Sequence, residues 1–226
     1  MPTQPPPPPA MFRQPRTATD ARRIRGLYAV TPDEMDTGRL LRLVNEAVAG
    51  GASLVQYRNK RADASLRLVQ ALGLHAVCQR AGVPLIINDD MELALEIEAE
   101  GVHLGREDGA LAPARDRLGK KRLLGVSCYN ELDAARAAVA AGADYVAFGA
   151  AFVSNVKPQA PCAPFELFAR AKREIAVPVV AIGGINADNA KQLADLGVDA
   201  VAVISAIFQA KDVAAAAAGI SCWWAE

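Results

Sequence analysis

The sequence predicts an α/β chain folded as a single-domain (β/α)8 barrel of the TIM type, preceded by a disordered, proline-rich N-terminal tail. Three observations carry this expectation. From Ile24 onward, short Val/Ile-rich runs alternate with longer Ala/Leu/Arg/Glu segments of helical period. The runs are apolar throughout rather than every second residue, as strands of a parallel sheet covered on both faces must be. They number eight, which favours closure into a barrel. An open doubly wound sheet is the weaker alternative, because no GxGxxG turn follows the first run.

The strands are expected at 26–30 (GLYAV), 53–58 (SLVQYR), 84–88 (PLIIN), 101–105 (GVHLG), 122–128 (RLLGVSC), 144–150 (DYVAFGA), 178–184 (PVVAIGG) and 199–205 (DAVAVIS). Between them, helices are expected from Asp36 to Ala49, Ala62 to Ala81, Met91 to Glu98, Leu111 to Leu118 and Glu131 to Ala141. Pro164 to Glu174, Ala187 to Leu196 and an Ala-rich stretch from Phe208 to Ala218 complete the set. Phrases such as "AGGAS", "RAGVP" and "AAGADY" repeat a glycine that closes a helix just before the next strand. Residues 1–23, with their proline run and scattered arginines, read as a tail without the apolar stretch of a signal peptide, and residues 24–226 as the barrel domain.

Composition narrows the function. Lys plus Arg number 25 and Asp plus Glu 25, so no net charge draws the chain to nucleic acid or an anionic membrane. No apolar run reaches the ~18 residues of a membrane span. Cys78, Cys128, Cys162 and Cys222 form no CxxC pair and read as free thiols of a cytoplasmic protein. Small molecules are the expected partners, and any anion site must be local.

Active sites of this fold lie at the carboxyl ends of the strands. Strand 2 ends in Gln56, Arg58 and Lys60, which a period of two places on one face above the barrel interior. A guanidinium fork beside an ammonium suits phosphate or diphosphate. Asn88 and Asp89 end strand 3, and Glu107 and Asp108 follow strand 4. Asp89 and Asp108, opposite those cations, suit Mg²⁺, which takes one or two carboxylates and fills its shell with water and phosphate oxygens. Helix capping is the competing role for such aspartates, above all for Asp90 and Asp108. His75 and His103 lack ligand-spaced neighbours and read as structural. Ser127 offers a hydroxyl at the end of strand 5, and the long loop after strand 6 carries Ser154, Asn155 and Lys157. Gly183 and Gly184 after strand 7, with Ile204 and Ser205 after strand 8, stand where this fold most often binds a phosphate.

Taken in order, "QYRNK", "IINDD", "GVHLGREDG", "GVS", the "VK" of the strand 6 loop, "AIGGI" and "VISAI" resemble the thiamine phosphate synthase family from about Leu27 to about Ile207. The resemblance implies a transferase that condenses hydroxymethylpyrimidine diphosphate with hydroxyethylthiazole phosphate, releasing diphosphate. It implies that Gln56, Arg58, Lys60, Asn88 and Lys157 hold the pyrimidine diphosphate and that Asp89 and Asp108 bind magnesium. Ser127 would stand at the reacting centre, while Ser154, Val156, Gly184, Ile204 and Ser205 would surround the thiazole phosphate. Arg58, Lys60, Ser127 and Lys157 would be the catalytic set.

The family often has Thr-x-Thr-Lys where this chain has Ser154, Asn155, Val156 and Lys157, and a small residue and His where Cys128 and Tyr129 stand. Arg106 also replaces the usual Gln before Glu107. Two alternatives are a thiazole tautomerase, which resembles the synthase but needs a His that Tyr129 and Asn130 replace, and a non-catalytic paralogue that binds thiamine precursors. A sugar-phosphate isomerase on the same fold would leave the strand 2 cations unused.

Overall fold

Aspartates start four of the helices: Asp36, Asp63, Asp90 and Asp212 each turn a carboxylate back onto a free backbone N–H of the first turn. These caps punctuate a computed structural model that describes residues 24–105, 109–153 and 162–225. Its strands are β1 (Gly26–Val30), β2 (Ala52–Tyr57), β3 (Leu85–Asn88), β4 (Gly101–Leu104), β5 (Leu123–Tyr129), β6 (Tyr145–Gly149), β7 (Val179–Ile182) and β8 (Ala200–Val203). The helices between them are α1 (Thr37–Ala49), α2 (Ala64–Ala81), α3 (Met91–Glu96), α4 (Leu111–Leu118), α5 (Leu132–Ala140), α6 (Phe165–Glu174) and α7 (Ala190–Asp195). After β8 come α8 (Ser205–Phe208) and α9 (Val213–Ser221).

All eight strands are parallel and pair in sequence order, and β8 returns to β1. The expected (β/α)8 barrel is therefore the fold. The alternation of side chains along each strand splits the core in two. Leu27, Ala29, Val55, Ile87 and Val102 face the helices, where they meet Leu40, Leu74 and Phe168. Tyr28, Val30, Leu54, Ile86, Tyr145, Val180 and Ala200 face inward and fill the barrel. Both directions are apolar, which is why the strands read as continuous hydrophobic runs.

Some boundaries differ from the sequence expectation. β2 ends at Tyr57, so Arg58 and Lys60 lie in the loop beyond it. α7 begins at Ala190 rather than Ala187, because Asn186 and Asn189 first close a turn, Asn189 Oδ1 accepting from Asn186 N at 2.8 Å. The final helix is two pieces: Ser205 opens α8 instead of ending β8, and Asp212 caps a separate α9. The proline-rich tail lies outside the described residues.

One interior fit is unusually tight. Tyr145 lies fully buried on β6 over Gly125 of β5, and a Cβ at Gly125 would stand 2.0 Å from the Tyr145 ring. Gly125→Ala is expected to push that ring aside and to lower stability by roughly 1–3 kcal/mol, an overpacking cost measurable by denaturant unfolding.

The four thiols divide by depth. Cys78 and Cys128 are buried, Cys162 and Cys222 exposed. Burial pushes the first two thiols up to about 12, so they stay protonated and unreactive near neutral pH. Two of the four should react with a chromogenic disulfide reagent in the native protein, and all four after denaturation.

Candidate active site

The loop after β1 organises the cationic rim. Thr31 is fully buried; its N–H donates to Gln56 O at 2.9 Å, and its hydroxyl donates to Arg58 O and accepts from Arg58 N, both at 2.9 Å. The backbone of Arg58 is thus clamped although the strand has ended. Asp33 accepts from Lys60 N at 2.9 Å and stands 3.6 Å from Arg58 Nη1. Alternation persists past the strand: Tyr57 and Asn59 turn the other way and both donate to Gln70 Oε1 on α2, at 2.8 and 3.1 Å. Gln56, Arg58 and Lys60 are left toward the barrel mouth, as the sequence spacing implied.

Beside them, Asn88 ends β3 in register with His103 of β4. Asp89 takes a left-handed backbone conformation at φ 62° while its N–H donates to His103 O at 2.9 Å. Asp tolerates this region better than most residues. The bend brings its Oδ2 to 3.9 Å from Lys60 Nζ. Asp90 caps α3 by accepting from Leu93 N at 3.0 Å, which leaves Asp89 as the rim carboxylate of this turn. Asp89 is about a third exposed, an oxygen donor open to water, and so fits a hard cation. Its candidate partner Asp108 lies outside the described residues, as do Ser154, Val156 and Lys157.

The interior holds a polar row that the sequence did not suggest. Gln56 Nε2 donates to the Tyr28 hydroxyl at 2.8 Å, and that hydroxyl lies 2.8 Å from the Tyr145 hydroxyl. Tyr145 Oη is 3.0 Å from His103 Nδ1, and His103 Nε2 is 2.8 Å from Ser127 Oγ. The His103 and Tyr145 rings stack with centroids 5.6 Å apart. Burial drives both phenols far above the usual tyrosine range, so they remain protonated. His103, read from the sequence as structural, is thus joined to Ser127, and Gln56 and Ser127 are the two ends of one network spanning β2, β1, β6, β4 and β5. A signal existed: Tyr28, His103 and Tyr145 are polar residues inside otherwise apolar strands, a placement that demands partners.

On the far side, Gly183 and Gly184 have φ of 103° and 65°. A Cβ on Gly184 would lie 2.7 Å from Phe152 O, and one on Gly183 2.6 Å from Ala150 Cβ. The segment after β6 packs closely against these glycines, at the strand end where the sequence suggested close approach of a ligand. Phe152 N donates to Gly183 O at 3.0 Å and ties the two loops together. Ile204 and the first residue of α8, Ser205, stand half-buried at the end of β8.

The arrangement offers half-exposed cations and a carboxylate on the rim of β2 and β3, and a hydrogen-bonding amide and hydroxyl beneath them. That combination suits a ligand with an anionic group at the rim and hydrogen-bonding groups below it. The sequence profile described as thiamine monophosphate synthase matches residues 27–207. The thiamine-phosphate synthase of Aromatoleum aromaticum is 56% identical over 196 residues, covering 87% of this chain and 94% of that protein. That of Chromobacterium violaceum is 52% identical over 202 residues, covering 89% and 97%. The structure of thiamine phosphate pyrophosphorylase from Pyrococcus furiosus superposes with a TM-score of 0.80 at 32% identity, covering 89% of this chain and 96% of that one. With a matching profile over most of its length and relatives above half identity, the chain belongs to the thiamine monophosphate synthase family.

Proposed function

We propose that the chain is a magnesium-dependent transferase that makes thiamine phosphate from hydroxymethylpyrimidine diphosphate and hydroxyethylthiazole phosphate. The observation that carries this reading is the meeting of Lys60 and Asp89 at 3.9 Å, next to Arg58 and above the buried Gln56 amide. A sugar-phosphate isomerase has no use for that cluster.

The chemistry asks for leaving-group stabilisation and positioning. The methylene–oxygen bond breaks with its electron pair leaving on diphosphate, and the electron-rich aminopyrimidine carries the developing cation. The thiazole nitrogen then supplies the lone pair for the new carbon–nitrogen bond. Arg58, Lys60 and Lys157 neutralise the diphosphate, and Gln56 and Asn88 hold the pyrimidine end. Arg58 is prepared for this by Thr31, which fixes its backbone without occupying its guanidinium. Asp33 holds the guanidinium loosely at 3.6 Å, an exposed pairing that an incoming diphosphate can replace. Asp89 and Asp108 would hold Mg²⁺, which supplies additional positive charge to the leaving group when bound. Ser127 faces the reacting centre, and Ser154, Val156, Gly184, Ile204 and Ser205 surround the thiazole phosphate. Balanced charge and four free thiols support a cytoplasmic enzyme of small molecules. No helix among the described residues is long and apolar enough to cross a membrane.

Diphosphate release is expected when both precursors and magnesium are present, and little from either precursor alone; purified protein that releases none contradicts the proposal. Arg58→Ala and Lys157→Ala should each lower kcat/KM by about 100-fold, the scale of losing one aimed charge stabiliser. Arg58→Ala should cost no more than about 1 kcal/mol of stability, because the Asp33 pair is half-exposed. Asp89→Asn keeps a side chain that tolerates the left-handed backbone. It should raise the magnesium concentration giving half-maximal rate while leaving the unfolding midpoint nearly unchanged.

A further inference from the structure

The row Gln56–Tyr28–Tyr145–His103–Ser127 is a set of four links that cannot choose their directions independently. Each phenol and the serine carry one proton, and a neutral imidazole carries one on either nitrogen. Suppose the Gln56 amide gives an N–H to Tyr28. Tyr28 then gives its proton to Tyr145, Tyr145 gives its own to His103 Nδ1, and His103 donates from Nε2 to Ser127. The Ser127 proton is turned away from the imidazole and is available to a ligand. Suppose instead that the amide turns its oxygen to Tyr28. Every link reverses, His103 carries its proton on Nδ1, and the Ser127 proton is committed to Nε2. Ser127 then meets a ligand only as an acceptor. A mixed arrangement leaves either a phenol proton with no partner in the row or the two phenol oxygens facing each other at 2.8 Å with no proton between them. Tyr28 and Tyr145 are 1% and 0% exposed, so bulk solvent does not compensate such a defect.

We propose that this row is a polarity relay: the hydrogen-bonding edge that a ligand presents to Gln56 on β2 sets whether Ser127 on β5 is a donor or an acceptor. Tyr28, Tyr145 and His103 are its positioning residues. The inference rests on the functional reading above for the identity of the ligand. An exocyclic amine donates to the Gln56 oxygen, turns the amide nitrogen toward Tyr28 and makes Ser127 a donor. A diphosphate, which only accepts hydrogen bonds, needs that form. A pyrimidine with an oxo group in place of the amine would turn the amide over and withdraw the Ser127 proton. Selection for the amine is thereby linked to the state of a hydroxyl on the opposite strand.

The test reads the His103 tautomer from imidazole nitrogen chemical shifts in the isotope-labelled full chain. Only two histidines are present, and His75→Gln leaves His103 alone. Wild type should carry the proton on Nε2. Gln56→Glu, whose carboxylate can only accept, should move it to Nδ1, three links away. In a Tyr145→Phe background the Gln56→Glu exchange should have no effect on the tautomer. An unchanged tautomer in Gln56→Glu, or a change that persists without the Tyr145 hydroxyl, overturns the relay.

Should Gln56→Glu fail to fold, wild type saturated with the amino and the oxo pyrimidine diphosphates should show Nε2–H and Nδ1–H respectively, and one tautomer with both overturns the relay. If neither compound binds, the functional reading fails, and the relay is judged with Gln56→Glu refolded in a stabilising osmolyte, where an unchanged tautomer overturns it. Tyr145→Phe should lower kcat about tenfold with KM nearly unchanged, the worth of one hydrogen bond to a charged group, whereas a purely structural role would move only the unfolding midpoint.

Discussion

The Tyr145 hydroxyl, buried at the centre of the barrel, holds the polar interior together. It meets Tyr28 on one side and His103 on the other, at 2.8 and 3.0 Å. A phenol in that position is tolerable only if its hydrogen bonds are made, since an unpaired buried hydroxyl costs about 1–3 kcal/mol. The ring itself needs room, which Gly125 provides on the next strand. Strand pairing brings Gly125 opposite Tyr145, so barrel register, interior packing and the polar row form one dependency. A shift of register by one residue would turn Tyr145 toward the helices and leave Gln56 and Ser127 unconnected.

The rim above this interior is built differently. It relies on backbone clamps and short loops rather than on buried rings. Thr31 reaches from the end of β1 to hold Arg58 after β2 has ended, and Asp33 does the same for the Lys60 amide. Asp89 is brought round by its own left-handed backbone and kept in line by the His103 carbonyl. His103 therefore touches both levels: its carbonyl holds the rim carboxylate, and its ring holds Ser127. The charged groups stay half-exposed, which leaves them weakly paired within the protein and open to an anionic ligand.

Much of this was legible in advance. Continuous apolar strands, eight of them, with glycine-closed helices between, pointed to a parallel barrel, because only a sheet covered on both faces has such strands. The period of two correctly separated Gln56, Arg58 and Lys60 from Tyr57 and Asn59. The Asp33 and Thr31 contributions went unread, since a loop following a strand has no periodicity to interpret. Gly183 and Gly184 were read as allowing close approach of a ligand; within the chain itself Gly184 stands against the carbonyls of Phe152 and Val153, and Gly183 against Ala150. A glycine reports that something comes close without saying what.

His103 marks the boundary most clearly. By itself the sequence determined the order of elements, the faces of the strands and the charge gathered at their ends, because these follow from local periodicity and residue chemistry. Only the tertiary structure decided that Gln56, Tyr28, Tyr145, His103 and Ser127 form one row. Those residues come from five strands, and which of them touch across the interior depends on the stagger and closure of the barrel. That geometry is set by the packing of all eight strands together, and no single segment encodes it.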